Sequence, residues 1–500
     1  MERWLAAALD HVPHWLAHQM RLTQQPGCAL AVASKGRIVL EAAFGHADLA
    51  RGERLTPRHR FRVASHSKTF TAAGILKLKE AGRLRLDDPI GAHVPRLHRR
   101  VAAVTIAQLL SHAGGLVRDG ADSGQWQDRR PFLDEDGLRA ELADGPVLHA
   151  DTRFKYSNLG YGLLGLAIEG ATGEPYREWI AREIVAAAGL HETAPDAPLA
   201  VDVPFAQGHG SRLPLGRRMV VPGRNPTQAL AAATGFISTA ADLARFYASL
   251  APGERTSLLS SASRRAMTRR LWRDSQTAAE RWYGVGTISG SLGGWDWFGH
   301  SGGFQGTITR TACVPAQRLT VSVLTNAADG AAHAWLDGVL SIVLAHARHG
   351  APTPATSPWH GRWWTLWGAV DLVPTRGRVF VTNPALGDPF LDATQLAPER
   401  KAADGTLHAR IVEATGFGSH GESVRLVLDA RGRARSLWLA GAELLPERAV
   451  ARELVTRYEP AASAGDGDGG VSGRASAASR RRAPRPPGTA RRPSARSRTR

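Results

Sequence analysis

Apolar positions recur at helical spacing from the start of the chain. Trp4, Leu5, Ala8, Val12, Trp15 and Leu16 share one side of residues 1–20, which predicts an amphipathic helix that Pro13 kinks or divides. Two short apolar runs, CALAVAS and RIVLEAAFG, meet at Lys35 and Gly36 and read as a β-hairpin. From FRVASHSKTFTAAGILKLKEAG through TIAQLLSHAGGL to DLARFYASL the patterns are mainly helical. Strands return in TITRTACVPAQRLTVSVLTN, which turns at residues 315–318, and a helix is expected through AWLDGVLSIVLAHA.

This order predicts an α+β fold. Both ends of residues 1–350 contribute to one antiparallel sheet flanked by helices, with a helical lobe inserted between them. Proline and small residues mark a linker at 351–358. Residues 359–458 alternate short apolar runs with turns, the pattern of a small all-β module. Residues 459–500 are rich in Arg, Pro and Ser and are expected to be disordered.

Composition changes this picture only in detail. The 500 residues are 43% hydrophobic and 22% charged, as in an ordinary globular protein, and no apolar run reaches the length of a membrane span. The formal charge of +18 is concentrated: residues 461–500 hold ten arginines and two aspartates, hence +8 of it. The remaining +10 is dispersed, without the basic-aromatic motif of an RNA reader, so weak contact by the tail is the most nucleic-acid binding expected. The N-terminal segment lacks a secretory pattern, and two cysteines, Cys28 and Cys313, suit a reducing compartment; the expectation is cytoplasmic. His11, His14 and His18 line one side of the first helix, but no acidic or cysteine cluster at ligand spacing accompanies them. Neither a metal nor another cofactor is expected.

Two serines stand in motifs that carry acyl-transfer chemistry. FGHSGG at 298–303 fits the glycine-x-serine-x-glycine pattern of a nucleophile elbow around Ser301. An elbow needs a helix directly after the serine, whereas GGFQGTITRTACV alternates β-branched residues as a strand does. Asp329 and His333 lie four apart on an expected helix, unlike an acid and a base supplied by separate loops. VASHSKTF places Ser65 three residues before Lys68 at the start of an apolar helix. One turn of helix brings the two side chains together, and an amine whose neutral form is favoured by burial can take the serine proton. Lys77 and Lys79 read as solvated charges, and His112 as a residue that packs its loop.

FKYSNLGYG supplies Tyr156 and Asn158 before an apolar helix, and FGHSGG supplies His300 before a strand. With Ser65 and Lys68, in this order, these motifs resemble the serine β-lactamase and penicillin-binding-protein superfamily. The class C-type branch, with its D-aminopeptidase, D-amino-acid amidase and esterase relatives, is the nearest resemblance, over about residues 20–350. It implies Ser65 as the acylated nucleophile, Lys68 and Tyr156 as its proton partners, and Asn158, His300 and Ser301 as substrate-binding residues. The backbone N–H groups of Ser65 and Gly303 would form an oxyanion hole. His300 stands where many members carry lysine, which weakens a fixed charge for a substrate carboxylate. Hydrolysis of a small ester or amide, including D-amino-acid amides or peptides, is therefore expected ahead of β-lactamase or D-Ala-D-Ala carboxypeptidase activity. An inactive relative serving as a scaffold is the non-enzymatic alternative. HGRWWTLWGAVDLVP resembles an accessory β-module, with Trp363, Trp364 and Trp367 either packing its core, expected for at least two of them, or approaching the site.

Overall fold

The computed structural model describes residues 1–459 apart from 276, 278 and 416–418; the Arg-rich tail lies almost wholly outside them. Helix α1, Arg3–Thr23, is continuous, so Pro13 does not divide it. The predicted hairpin is β1, Gly27–Ser34, and β2, Arg37–Asp48. Lys35 and Gly36 turn with φ of 52° and 77°, the left-handed pair that suits the twist of a two-residue hairpin.

Strands β3 (Glu53–Arg54), β4 (Trp272–Arg273), β5 (Arg281–Tyr283), β6 (Ile288–Leu292), β7 (Trp295–Phe304), β8 (Thr307–Val314) and β9 (Leu319–Thr325) complete a nine-stranded sheet, in the order β3-β2-β1-β9-β8-β7-β6-β5-β4. The two ends of the domain meet where β1 pairs antiparallel with β9, Leu30 opposite Val323. The unbroken apolar run of β1 follows from burial on both faces. Cys28, Leu30 and Val32 join the core under α1 and helix α5, Ala332–His349, whereas Ala29, Ala31 and Ala33 face the core of the helical lobe.

In that lobe, α2 (Ser67–Glu80), α3 (Asn158–Thr172) and α4 (Ala240–Ser249) surround Phe70, which stacks on Phe236 and Phe246 with ring centroids 4.3 and 3.9 Å apart. Lys77, expected to be solvated, is instead half-buried and pairs with Glu183 at 2.8 Å.

Beyond α5 the chain forms a second antiparallel sheet in simple sequence order: β10 (Gly361–Thr365), β11 (Gly368–Pro374), β12 (Val379–Thr382), β13 (Thr394–Lys401), β14 (Leu407–Glu413), β15 (Ser423–Leu428), β16 (Ala434–Leu439) and β17 (Ala442–Leu444). Trp364 and Leu445 exchange backbone hydrogen bonds of 2.8 and 3.0 Å and join its first and last strands, so the sheet closes on itself. Its interior is filled by side chains such as Trp363, Leu372, Leu396, Leu426 and Leu437. Closure removes the exposed edges of a small sheet.

The module sits against α1 and α5. Gln19 Nε2 donates to the carbonyls of Pro384 and Leu386, and Trp335 Nε1 donates to Gln19 Oε1. Of the three tryptophans, Trp363 is core, Trp364 is half-buried beside His18, and Trp367 is 96% exposed at a hairpin tip. The expectation that at least two pack the core is therefore corrected: β10 turns into β11 directly after Thr365, which leaves Trp367 in solvent.

Candidate active site

Ser65 lies in a 3-10 turn, Ala64–His66, that runs directly into α2. The turn depends on Ala64, whose φ of 47° places a non-glycine residue in the left-handed region, at a cost of about 1–2 kcal/mol. The surrounding backbone holds it there. Val63 N donates to Phe236 O, Ser67 Oγ donates to Ala64 O at 2.6 Å, and Phe236 N donates back to Ser67 Oγ. The reversal leaves Ser65 half-buried at the floor of a cleft of about 770 Å³, beside the positive end of α2.

Three elements converge on Ser65. Lys68, fully buried at the second position of α2 and one turn after Ser65, has Nζ 3.2 Å from Ser65 Oγ. Tyr156, in the loop before α3, donates its hydroxyl to the same oxygen at 2.8 Å. Asn158, at the start of α3, accepts from Lys68 Nζ through Oδ1 at 2.7 Å. The cap of α3 is Ser157, which accepts from Gly160 N, so the Asn158 side chain is available to Lys68. Ala233 O takes a further hydrogen bond from Lys68 Nζ at 2.8 Å.

Burial drives the Lys68 amine well below the ordinary lysine range, against the opposing pull of Asp119. Burial also pushes the Tyr156 phenol above its ordinary value. Both shifts favour the uncharged forms, an amine that can accept a proton and a phenol that keeps its own. A neutral amine has two hydrogens and one lone pair. Asn158 Oδ1 and Ala233 O take the hydrogens, so the lone pair is left to Ser65 Oγ.

The opposite wall is the end of β7. Ser301 does not stand on an elbow, because β7 continues through it to Phe304 and turns into β8 rather than a helix. Asp329 pairs with Arg218. His300 is buried, with Nε2 3.2 Å from Tyr283 OH and Nδ1 against the backbone of Ser301. Burial, then His66 and Lys68, hold it well below the ordinary histidine value, hence neutral. Gly302 brings β7 onto the Ser65 turn, since a Cβ at this position would lie 2.1 Å from Val63 O. Gly302→Ala is accordingly expected to lower the thermal unfolding midpoint, an overpacking cost of about 1–3 kcal/mol. Gly303→Ala, whose Cβ would meet only Ile308 Cδ1 at 3.5 Å, is expected to fold with an unchanged midpoint. Equal midpoints for the two variants would contradict this packing.

Sequence reasoning missed several contributors. Asp119 accepts from Asn158 Nδ2 at 2.6 Å, and its only signal in the sequence is an acid placed shortly after the LLSHAGGL segment. Ala233 contributes a carbonyl, which leaves no mark in side-chain pattern. Tyr283 backs His300 from β5, and Trp126, Phe154, Trp282 and Phe304 give the cleft aromatic walls. His112 packs as expected, its ring 4.2 Å from that of Tyr156 and its Nδ1 accepting from Ser157 N. Among the described residues, no group of histidine, cysteine and acidic side chains has metal-binding geometry.

A family model described as Beta-lactamase matches residues 12–342. The chain belongs to the beta-lactamase family. Protein flp of Staphylococcus aureus (strain MW2) is 30% identical over 169 residues, which cover 33% of this chain and 34% of flp. Penicillin-binding protein 4* of Bacillus subtilis (strain 168) is 33% identical over 170 residues, covering 33% and 37%. The matched stretches thus span about a third of these relatives. Among solved structures, the octameric penicillin-binding protein homologue from Pyrococcus abyssi superposes with a TM-score of 0.61 at 22% identity, covering 87% of this chain and 99% of that one. D-amino acid amidase from Ochrobactrum anthropi SV3 gives 0.58 at 20% identity, covering 69% and 99%. Both share the family fold. No helix among the described residues is long and apolar enough to cross a membrane.

Proposed function

We propose that the protein hydrolyses small esters or amides through an acyl-enzyme on Ser65. The observation that carries this reading is the convergence of Lys68 Nζ and Tyr156 OH on Ser65 Oγ, at 3.2 and 2.8 Å. In acylation the Ser65 Oγ–H proton moves to the neutral Lys68 amine as Oγ bonds to the acyl carbon. The carbonyl oxygen becomes an oxyanion within reach of the Ser65 and Gly303 N–H groups. Its collapse breaks the bond to the leaving group, which takes the proton from the Lys68–Tyr156 pair. A water then gives a proton to that pair and attacks the acyl carbon, and Ser65 Oγ departs and is reprotonated.

The β7 wall offers no fixed positive charge to a carboxylate beside the scissile bond. His300 is neutral, and the guanidiniums of Arg118 and Arg281 are engaged by Asp119 and Asp274. The aromatic walls of the cleft suit an apolar acyl or leaving group. Amides of D-amino acids are the second substrate class, supported by the amidase fold neighbour. A reducing compartment such as the cytoplasm suits the buried, unpaired thiols of Cys28 and Cys313. Assay of short-chain p-nitrophenyl esters, D-alanyl amides and nitrocefin side by side tests the reading: kcat/KM should be highest for an ester or amide, and a preference for nitrocefin would contradict it.

A further inference from the structure

Asn158 can hold the Lys68 amine correctly only if its amide points one way. Its Oδ1 and Nδ2 differ in chemistry but hardly in shape, so packing alone does not choose between them. With Oδ1 toward Lys68, the amide takes one amine hydrogen and leaves the lone pair for Ser65. Reversed, it would aim N–H donors at the amine, compete for the lone pair and oppose the ammonium formed when Lys68 accepts the serine proton.

We propose that Asp119 is the positioning residue that fixes this orientation. Its Oδ1 accepts from Asn158 Nδ2 at 2.6 Å and from Trp126 Nε1 at 3.0 Å, while Oδ2 faces Arg118 Nε at 3.0 Å. A carboxylate has no hydrogen to donate, so only the Nδ2 end of Asn158 can satisfy it, and Oδ1 is turned to Lys68. Trp126 and Arg118 in turn hold the carboxylate, whose side chain is 14% exposed at the cleft wall. Asp119 acts through Asn158 and touches neither Ser65 nor the reacting bond. The groups around Lys68 are Asp119 and Arg118 from one loop, Tyr156 and Tyr161 whose rings lie 4.8 and 5.4 Å from Nζ, and the neutral imidazoles His112 and His300. Asp119 is the one carboxylate among them. Its removal therefore also favours the neutral amine at lower pH.

This inference rests on the proposed roles of Ser65 and Lys68, and the test separates the two. In the full-length protein, Asp119→Asn is expected to lower kcat for a neutral p-nitrophenyl ester by about 10- to 100-fold, with little change in KM. The acidic limb of its pH–rate profile should move to lower pH. Asp119→Glu, which retains the charge and can reach the same amide, should recover most of the rate and return the limb toward its wild-type position. A wild-type rate and limb in Asp119→Asn would overturn the proposal, as would an Asp119→Glu variant no better than Asp119→Asn. If thermal melting shows that Asp119→Asn does not fold, Asp119→Ser replaces it, with the same expected and overturning results. If instead the wild-type protein takes no active-site label on Ser65, the proposed function fails first.

Discussion

Ser65→Ala is expected to abolish turnover of a p-nitrophenyl ester, a loss of about 10⁴-fold or more because no other group can form the acyl bond. The substitution removes one oxygen from a half-buried position and leaves the Ala64 turn, α2 and the Gly302 contact in place. The unfolding midpoint should therefore stay near the wild-type value while activity disappears. Ser301→Ala should retain acylation, because Ser301 stands on a strand edge with neither Lys68 nor Tyr156 at its hydroxyl. Initial rates and melting curves for the two variants check both statements.

Lys68→Met should reduce kcat/KM by about 10²- to 10⁴-fold, the usual contribution of a positioned base. Methionine keeps most of the length and the burial of the side chain but removes the amine. The pH dependence is equally informative. The wild-type rate should fall as the pH drops through the depressed Lys68 value, because protonation occupies the lone pair that faces Ser65. Linkage fixes the sign for stability. Between the depressed folded value and the ordinary lysine range, the unfolded chain binds more protons than the folded one, so wild-type stability should rise with pH across that window. Lys68→Met lacks this group and should lose that part of the slope. A base-dependent acidic limb that survives in Lys68→Met would assign the proton to another residue.

The parts of the site that were legible in the sequence are those in which a side chain type and a spacing carry the chemistry. Ser65 and Lys68 are three apart where a 3-10 turn runs into α2, and Tyr156 and Asn158 flank the start of the apolar α3; each spacing dictates a geometry that the fold then uses. Ser301 was separable from a true elbow because the β-branched alternation after it could only be a strand. The hairpin at Lys35 and Gly36, and the strand pair around residues 315–318, were likewise readable from local pattern and turn chemistry.

What was not legible depends on non-local contact. The Ala233 carbonyl, the left-handed Ala64 and the approach of Gly302 to Val63 are backbone features with no periodic signature. Asp119 acquires its role only when its loop reaches α3, 39 residues further along the chain. Closure of the C-terminal sheet through Trp364 and Leu445 joins segments about 80 residues apart, so the alternation of single strands could not announce it. Trp367 shows the limit of composition: an aromatic residue in a small β-module is expected inside, yet its place on a tight turn puts it in solvent.

The central claim is that Ser65 is the hydroxyl which the Lys68 amine deprotonates. Its most direct measurement is reaction of the intact protein with a fluorophosphonate, followed by mass spectrometric mapping of the modified peptide. The expected result is one adduct on Ser65, formed more slowly as the pH falls and absent from Ser65→Ala. An adduct on Ser301, or none on Ser65 in folded protein at neutral pH, would contradict the account.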